Sequence, residues 1–239
     1  MSPSVAAPSI VRVGRVDSTQ AVAFALAAQG AADRTVVVAE SQAAGRGRRG
    51  HVWLDEPGAS LLCSVILRPH LEPARLPLLS LGAAVAVAEA LAEVTGLTPR
   101  LKWPNDVLVD GRKIAGILLE SRLGAAPLVV LGVGVNLAQR SFPADLQTRA
   151  TSVALAGGRP VDGDTLLGAL LDALDRQRDG LERGALDRTL ARWRALADTL
   201  GRTVSVDGVE GVAIDVDDDG ALVVADGDRR RRVVAGEIG

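Results

Sequence analysis

Gly45-Arg46-Gly47-Arg48-Arg49-Gly50 sets three guanidinium groups among three glycines. Guanidinium forks bind phosphate or carboxylate oxygens in pairs, and glycine lets the backbone come close to the anion. The spacing satisfies G-x-G-x-x-G and follows an apolar strand-like run, so a dinucleotide-binding turn has to be weighed. It is excluded because the next residues, His51 to Gly58, do not open a helix. In addition, Leu67-Arg68-Pro69 stands where the ribose-binding acid is required. No Gly-Lys-Ser/Thr follows, which excludes a P-loop. A basic loop on glycine hinges remains, suited to closing on a polyanion. The competing reading is a solvated surface turn.

Three further stretches carry chemistry. In Lys102-Trp103-Pro104-Asn105-Asp106 a strand delivers a lysine, and proline then turns the chain so that an amide and a carboxylate stand at its end. Asn105 suits ligand oxygens, and Asp106 suits either Mg²⁺ or a proton. In Gly111-Arg112-Lys113-Ile114-Ala115-Gly116 the lysine opens a strand, where it is able to offset charge on a carboxylate or an α-phosphate. Gly116 within that strand signals the close approach of a ligand or another backbone. Gly132-Val133-Gly134-Val135-Asn136 repeats the signal, with two glycines in an apolar strand and an amide at its end. Taken singly, each stretch also reads as a turn or a solvent-facing residue.

Composition sharpens these assignments. The chain has 25 arginines but only two lysines, Lys102 and Lys113, and only two asparagines, Asn105 and Asn136. A sequence that uses arginine for generic positive charge is expected to keep lysine where a compact ammonium is needed. A net charge of −2 over 239 residues gives no basic field for nucleic acid or acidic lipid. The first 16 residues lack the pattern of a signal peptide. Leu76 to Leu91 is too Ala-rich and too short for a membrane span, and reads as a core helix. Cys63 is the single cysteine and lies in an apolar run, so it reads as a small buried residue in a reducing, cytoplasmic setting.

The elements that must position these residues follow from periodicity. Strands are predicted over 9–16, 35–39, 60–67, 100–103 and 128–136, and helices over 21–29, 76–94, 164–177 and 186–200. Asp17-Ser18-Thr19-Gln20 has the spacing of an acidic helix cap, with Gln20 closing it. Asp110-Gly111 predicts a hairpin between 106–109 and 112–120. After residue 200, short β segments alternate with turns at Asp207-Gly208, Asp219-Gly220 and Asp226-Gly227. The expected class is α+β. A mixed sheet backed by helices spans residues 1–199, and a small SH3-like β domain spans 200–239. The acidic run 215–219 and Arg229–Arg232 read as complementary strands of a solvated hairpin. The alternative has the arginines lean toward ATP or an acidic partner.

In the order GRGRRG, KWPNDVL, GRKIAGIL, GVGVNL, the chain resembles the catalytic domain of biotin–protein ligases, the biotin–[acetyl-CoA-carboxylase] ligase family. The resemblance runs from Asp17-Ser18-Thr19 to Asn136 and extends to the small C-terminal domain. It implies a class II synthetase-like fold that makes biotinyl-5′-AMP from biotin and MgATP, then passes biotin to a lysine of a biotin carboxyl carrier protein. By that likeness Arg46, Lys113 and Asp106 are the catalytic group. Biotin falls to Ser18, Thr19, Gln20, Gln42 and Gly116, with Gly45, Arg46, Gly47, Arg48 and Lys113 over its carboxylate. ATP falls to Arg48, Arg49, Trp53, Asn105, Asp106, Lys113 and Asn136, with Asp106 toward Mg²⁺. Two positions depart from the family pattern: Gln20 replaces the usual Asn, and His51 replaces the usual Arg or Lys. Some relatives carry an N-terminal DNA-binding helix-turn-helix; about 16 residues precede the first predicted helix here, so a ligase without repressor function is expected. Relatives are monomers or dimers, which leaves a homodimer open. The alternatives are a lipoate or octanoate ligase of the same fold, which lacks the arginine loop, and a non-catalytic nucleotide-binding module.

Overall fold

The computed structural model describes residues 8–122 and 127–238. In chain order the elements are β1 (Ile10–Val16), α1 (Thr19–Ala28), β2 (Val36–Gln42), β3 (Gly45–Arg46), β4 (Val52–Trp53), β5 (Ser60–Leu67), α2 (Pro77–Thr95), β6 (Arg100–Lys102), β7 (Asp106–Val109), β8 (Arg112–Arg122) and β9 (Leu128–Asn136). They continue with α3 (Gly163–Glu182), α4 (Leu186–Leu196), β10 (Thr203–Val206), β11 (Val209–Val216), β12 (Leu222–Asp226) and β13 (Arg229–Val233).

Alternation along the strands decides which residues face the core and which face the site. Among the described residues, seven strands form one sheet in the order β1-β2-β5-β9-β8-β7-β6. β1 and β2 pair in parallel, and the other pairs are antiparallel. Cys63, Val65 and Leu67 of β5, with Val129, Leu131, Val133 and Val135 of β9, bury their side chains against α2 and α3 in the main core. Successive side chains point to opposite faces of a strand, so Ile66 and Val130 emerge on the other face. There they pack with Ala23 and Ala27 of α1. Ser64, Gly132, Gly134 and Asn136 share that second face. α1 covers only part of it, and the uncovered part is the floor of a cleft.

α2 is nearly all Ala, Leu and Val and is buried along most of its length, as a core helix should be. Gly96 ends it in the left-handed conformation at φ 74° and donates its N–H to Ala92 O. The Asp110-Gly111 hairpin turn forms as expected, with φ of 50° and 72° at its two residues.

The cap of α1 differs from expectation. Ser18, not Asp17, is the N-cap, and its Oγ accepts the N–H of Gln20 at 3.3 Å. The Gln20 side chain leaves the helix end altogether and reaches the sheet. α3 runs five residues past its expected end, because Leu181 continues its buried stripe. α4 stops short of its expected end, because Ala197 turns extended and bridges in parallel to Leu101.

The C-terminal β domain is a four-stranded antiparallel meander, β10-β11-β12-β13. Val204, Val206, Val216, Leu222 and Val224 join the same core as α2, and Trp103 Nε1 donates to Gly220 O at 3.1 Å. The small domain therefore rests on the strand that delivers Lys102. Arg232 pairs with both Asp217 and Asp219, and Arg194 with Asp215 at 2.6 Å. Arg232 thus fits the solvated-hairpin reading of the two charge runs.

Candidate active site

The uncovered sheet face forms a cleft of about 670 Å³. Its floor is made by Gly116 on β8 with Gly132 and Gly134 on β9. A Cβ at Gly134 would lie 2.6 Å from the Trp53 ring, and one at Gly116 would lie 3.0 Å from it. Gly134 above all, and Gly116 beside it, therefore let the indole ring come down onto the sheet, while Gly132 makes room for the Gln20 side chain. Trp53 arrives there through the short β3–β4 hairpin, in which Gly45 faces Trp53 and Arg46 faces Val52. A Cβ at Gly45 would meet Trp53 O at 2.5 Å and Gln42 Nε2 at 3.0 Å. Arg49 makes the turn at φ 52°, and Gly50 follows at φ 81°.

The two ends of the cleft differ in chemistry. The inner end is neutral and polar, built from Ser18, Thr19, Gln20, Gln42 and Ser64. The other end is ionic. There Lys113 Nζ lies 2.6 Å from Asp106 Oδ1 and 5.8 Å from the Trp53 ring centroid. Lys113 reaches the cleft through a β-bulge. Val107 pairs with Ala115 and Leu108 with Lys113, leaving Ile114 as an extra residue on β8. Ile114 and Ala115 both bury in the core. The bulge reverses the alternation and turns Lys113 to the cleft face. A parallel bridge to Ala150 holds its backbone, with Lys113 N–H on Arg149 O at 2.7 Å.

The positive charge around this end is abundant. Arg46, Arg48, Arg49 and Lys102 all line the cleft with Lys113. Arg48 is half-buried, and desolvation pulls its pKa below the usual arginine value against the opposing pull of Asp106 and Glu237. A polyanion beside it would offset that desolvation. Arg46 and Arg49 are ion-paired in this structure, Arg46 with Glu120 at 2.8 Å and Arg49 with Asp207 at 2.6 Å. The Arg49–Asp207 pair is largely exposed, so exchanging it for a ligand anion costs little. Glu120 is part-buried, with Oε2 buried and unpartnered among the described residues, so releasing Arg46 costs more. Trp53 Nε1 is buried with no hydrogen-bond partner among the described residues, an N–H that a ligand acceptor would satisfy.

Most of the residues singled out in the sequence meet here, and Arg46 and Lys113 line one cleft. Three of them stand differently from expectation. Gly45 does not line the cleft; it packs beneath Trp53 because two backbones cross there. Gln20 spends its amide on the protein: Nε2 donates to Val130 O at 3.0 Å and Leu118 O at 3.4 Å, and Oε1 accepts from Ser64 at 2.9 Å. Asn136 is likewise engaged at both ends, by Thr151 O at 2.9 Å and Gln139 Nε2 at 3.2 Å. It pins the wall that follows β9. Asn105 anchors its Nδ2 on Ile117 O at 2.6 Å.

Other wall residues had no local signal. Ser64, several residues between Phe142 and Ala150, and the tail Gly236-Glu237-Ile238 line the cleft. The tail is placed by Lys102, whose Nζ donates to Ile238 O at 3.0 Å. The scarcity of lysine singled out Lys102, but its partner lies 136 residues away and left no trace nearby.

Residues 13–136 match the biotin/lipoate A/B protein ligase family, and residues 199–238 match the biotin protein ligase C-terminal domain. The biotin–[acetyl-CoA-carboxylase] ligase of Mycobacterium tuberculosis is 39% identical over 95% of this chain and 86% of its own length. The chain belongs to the biotin protein ligase family. The ligase of the same name from Paracoccus denitrificans is 36% identical, over 95% of this chain and 98% of its own length. Among solved structures, the biotin protein ligase of Aquifex aeolicus in complex with biotin and ATP superposes with a TM-score of 0.84 at 28% identity, over 97% of both chains. The mixed sheet with its small antiparallel C-terminal domain is thus the family's fold.

Proposed function

We infer that this chain joins biotin to ATP, releasing pyrophosphate, and then transfers biotin from biotinyl-5′-AMP to a lysine of a biotin carboxyl carrier protein. One observation carries this reading: a single glycine-floored cleft has a neutral hydrogen-bonding end, a cationic end, and an aromatic ring between them. That order matches a polar ring system, a carboxylate meeting a triphosphate, and a base.

In the first step a carboxylate oxygen of biotin attacks the α-phosphorus. A P–O bond forms, and the bond to the pyrophosphate oxygen breaks. Two anions must approach, so fixed cations are needed to offset their repulsion. Lys113 is placed to bridge them, and Arg46 and Arg48 to flank them once the Glu120 pair exchanges. Ser18, Thr19 and Gln42 orient the ring system, and Trp53 stacks on adenine. The arginine hairpin covers the acyl-adenylate against water. Among the described residues, no three metal-ligating side chains cluster. Asp106 is the carboxylate that would hold Mg²⁺, which would supply further charge neutralisation there.

In the second step the acceptor amine attacks the acyl carbon and AMP leaves. At pH 7 an ordinary lysine must give up a proton at a cost of about 4–5 kcal/mol. Asp106 lies at the end of the cleft suited to receive it. Pyrophosphate release with biotin and ATP, and none with lipoate and ATP, is the expected outcome. Release with lipoate alone would move the chain to the lipoate ligases, and release with neither would leave a binding module. Transfer from preformed adenylate to a carrier domain should slow in Asp106→Asn; an unchanged rate removes Asp106 as the base. The single buried thiol supports a cytoplasmic setting.

A further inference from the structure

The hydrogen bonds at the inner end of the cleft can be followed proton by proton, because backbone groups fix both ends of the chain. Leu118 O and Val130 O only accept, so the side-chain nitrogen of Gln20 must face them and its oxygen must face Ser64. Ser64 must then donate to Gln20, at 2.9 Å. Its proton committed, Ser64 meets the Thr19 hydroxyl as an acceptor, at 2.8 Å. At the far end, the N–H of Thr19 fixes the Gln42 oxygen at 2.8 Å, and that oxygen lies 3.2 Å from Thr19 Oγ1. Both neighbours of the Thr19 hydroxyl therefore accept its one proton. It has none left for the cleft and offers only lone pairs.

Two donors complete the pattern. Ser18 Oγ accepts the N–H of Gln20, so its own proton is free to give. The Gln42 oxygen is taken, so its Nε2 is the donor end. One enforced acceptor beside two donors complements a ring N–H next to a carbonyl. Gln20 is 2% exposed, and Ser64 is fully buried. A Cβ at Gly132 would lie 2.8 Å from Gln20 Oε1, so the sheet leaves room for this side chain.

We propose that Gln20 and Ser64 are positioning residues that set hydrogen-bond polarity, holding Thr19 as an acceptor so that the cleft selects a cyclic urea by its N–H. This rests on the reading of biotin as substrate. Neither residue touches the ligand in this scheme; both act through Thr19.

The test compares biotin with two cyclic carbamates, each having one ring N–H replaced by oxygen, by calorimetric affinity and by biotin-dependent pyrophosphate release. In the native protein one carbamate should bind at least about tenfold more weakly than biotin, the scale of one hydrogen bond. Ser64→Ala removes the better acceptor for the Thr19 proton, and Gln20→Met removes the acceptor that orients Ser64. Each leaves the longer contact to the Gln42 oxygen, at 3.2 Å, as the acceptor that still competes with the cleft for the Thr19 proton, so Thr19 gains access to a donating orientation. The discrimination should fall to about threefold or less, with KM rising for biotin and little change in KM for ATP. Gln20→Met leaves β5 untouched, and so serves where Ser64→Ala folds poorly. A purely structural role weakens biotin and carbamate alike; an unchanged ratio in both variants overturns the proposal. Equal binding of biotin and both carbamates by the native protein overturns it while leaving the biotin reading intact. Failure to bind biotin at all overturns that reading as well.

Discussion

Replacing Gly134 with alanine tests whether the sheet floor is what places Trp53. The new Cβ would stand 2.6, 2.8 and 3.0 Å from three atoms of the indole ring. Ordinary contact begins near 3.4 Å, so the ring must retreat by about 0.8 Å or tilt. Gly134 is not at positive φ, so alanine brings no backbone strain, and the folded protein should lose little stability. The cost falls instead on the step for which Trp53 is placed. A displacement of about 1 Å at a reacting assembly costs up to about 100-fold in rate, and a fall of roughly 10- to 100-fold in biotin-dependent pyrophosphate release is expected, with KM for ATP rising. Intrinsic fluorescence reports on the ring directly, because the other two tryptophans, Trp103 and Trp193, are 2% and 0% exposed and far less open to change. Turnover and KM within twofold of the native protein, with the emission of Trp53 shifted, would refute the reasoning: the ring would have moved without consequence.

Other expectations follow from single contacts. Lys113→Ala should lower adenylate formation by about 100- to 1,000-fold, the scale of losing one charge-stabilising donor, with thermal stability nearly unchanged; a loss under tenfold would take Lys113 out of the chemistry. Burial pushes the Cys63 thiol up to about 12, so a disulfide reagent should label it only at the rate of unfolding, and prompt labelling of the folded protein would contradict its placement. Hydrogen bonding to Asp217, then Arg232, lowers Asp219 from 3.8 to about 2. Its folded pKa lies below the unfolded one, so its contribution is complete above about pH 4 and is lost as pH falls toward 2. Arg232→Gln should raise the Asp219 titration, followed by NMR; no movement would remove the pairing. Gln at both Arg229 and Arg230 should leave adenylate formation unchanged, and a large loss would bring those exposed arginines into the site.

The sequence by itself determined the strands of the main sheet but not the short β3–β4 hairpin, which it read as a loop. It likewise determined the Asp110-Gly111 hairpin, the buried α2 helix and the grouping of four short motifs, since each is written in neighbouring residues through period, turn chemistry or composition. It also determined where glycine was needed, although not what the glycines would face. Tertiary structure decided the direction of individual side chains. Strict alternation along β8 sends Lys113 to the same face as Ala115 and Ile117, into the core; only the bulge at Ile114, created by pairing with β7, turns it to the cleft. Gln20 looked like a helix-capping residue because its natural acceptors, Leu118 O and Val130 O, lie 98 and 110 residues away. Lys102 found its partner in the C-terminal tail for the same reason. Local sequence encodes backbone preference over a few residues, whereas the partner of a polar side chain is set by which strands lie side by side, and that is a property of the whole chain.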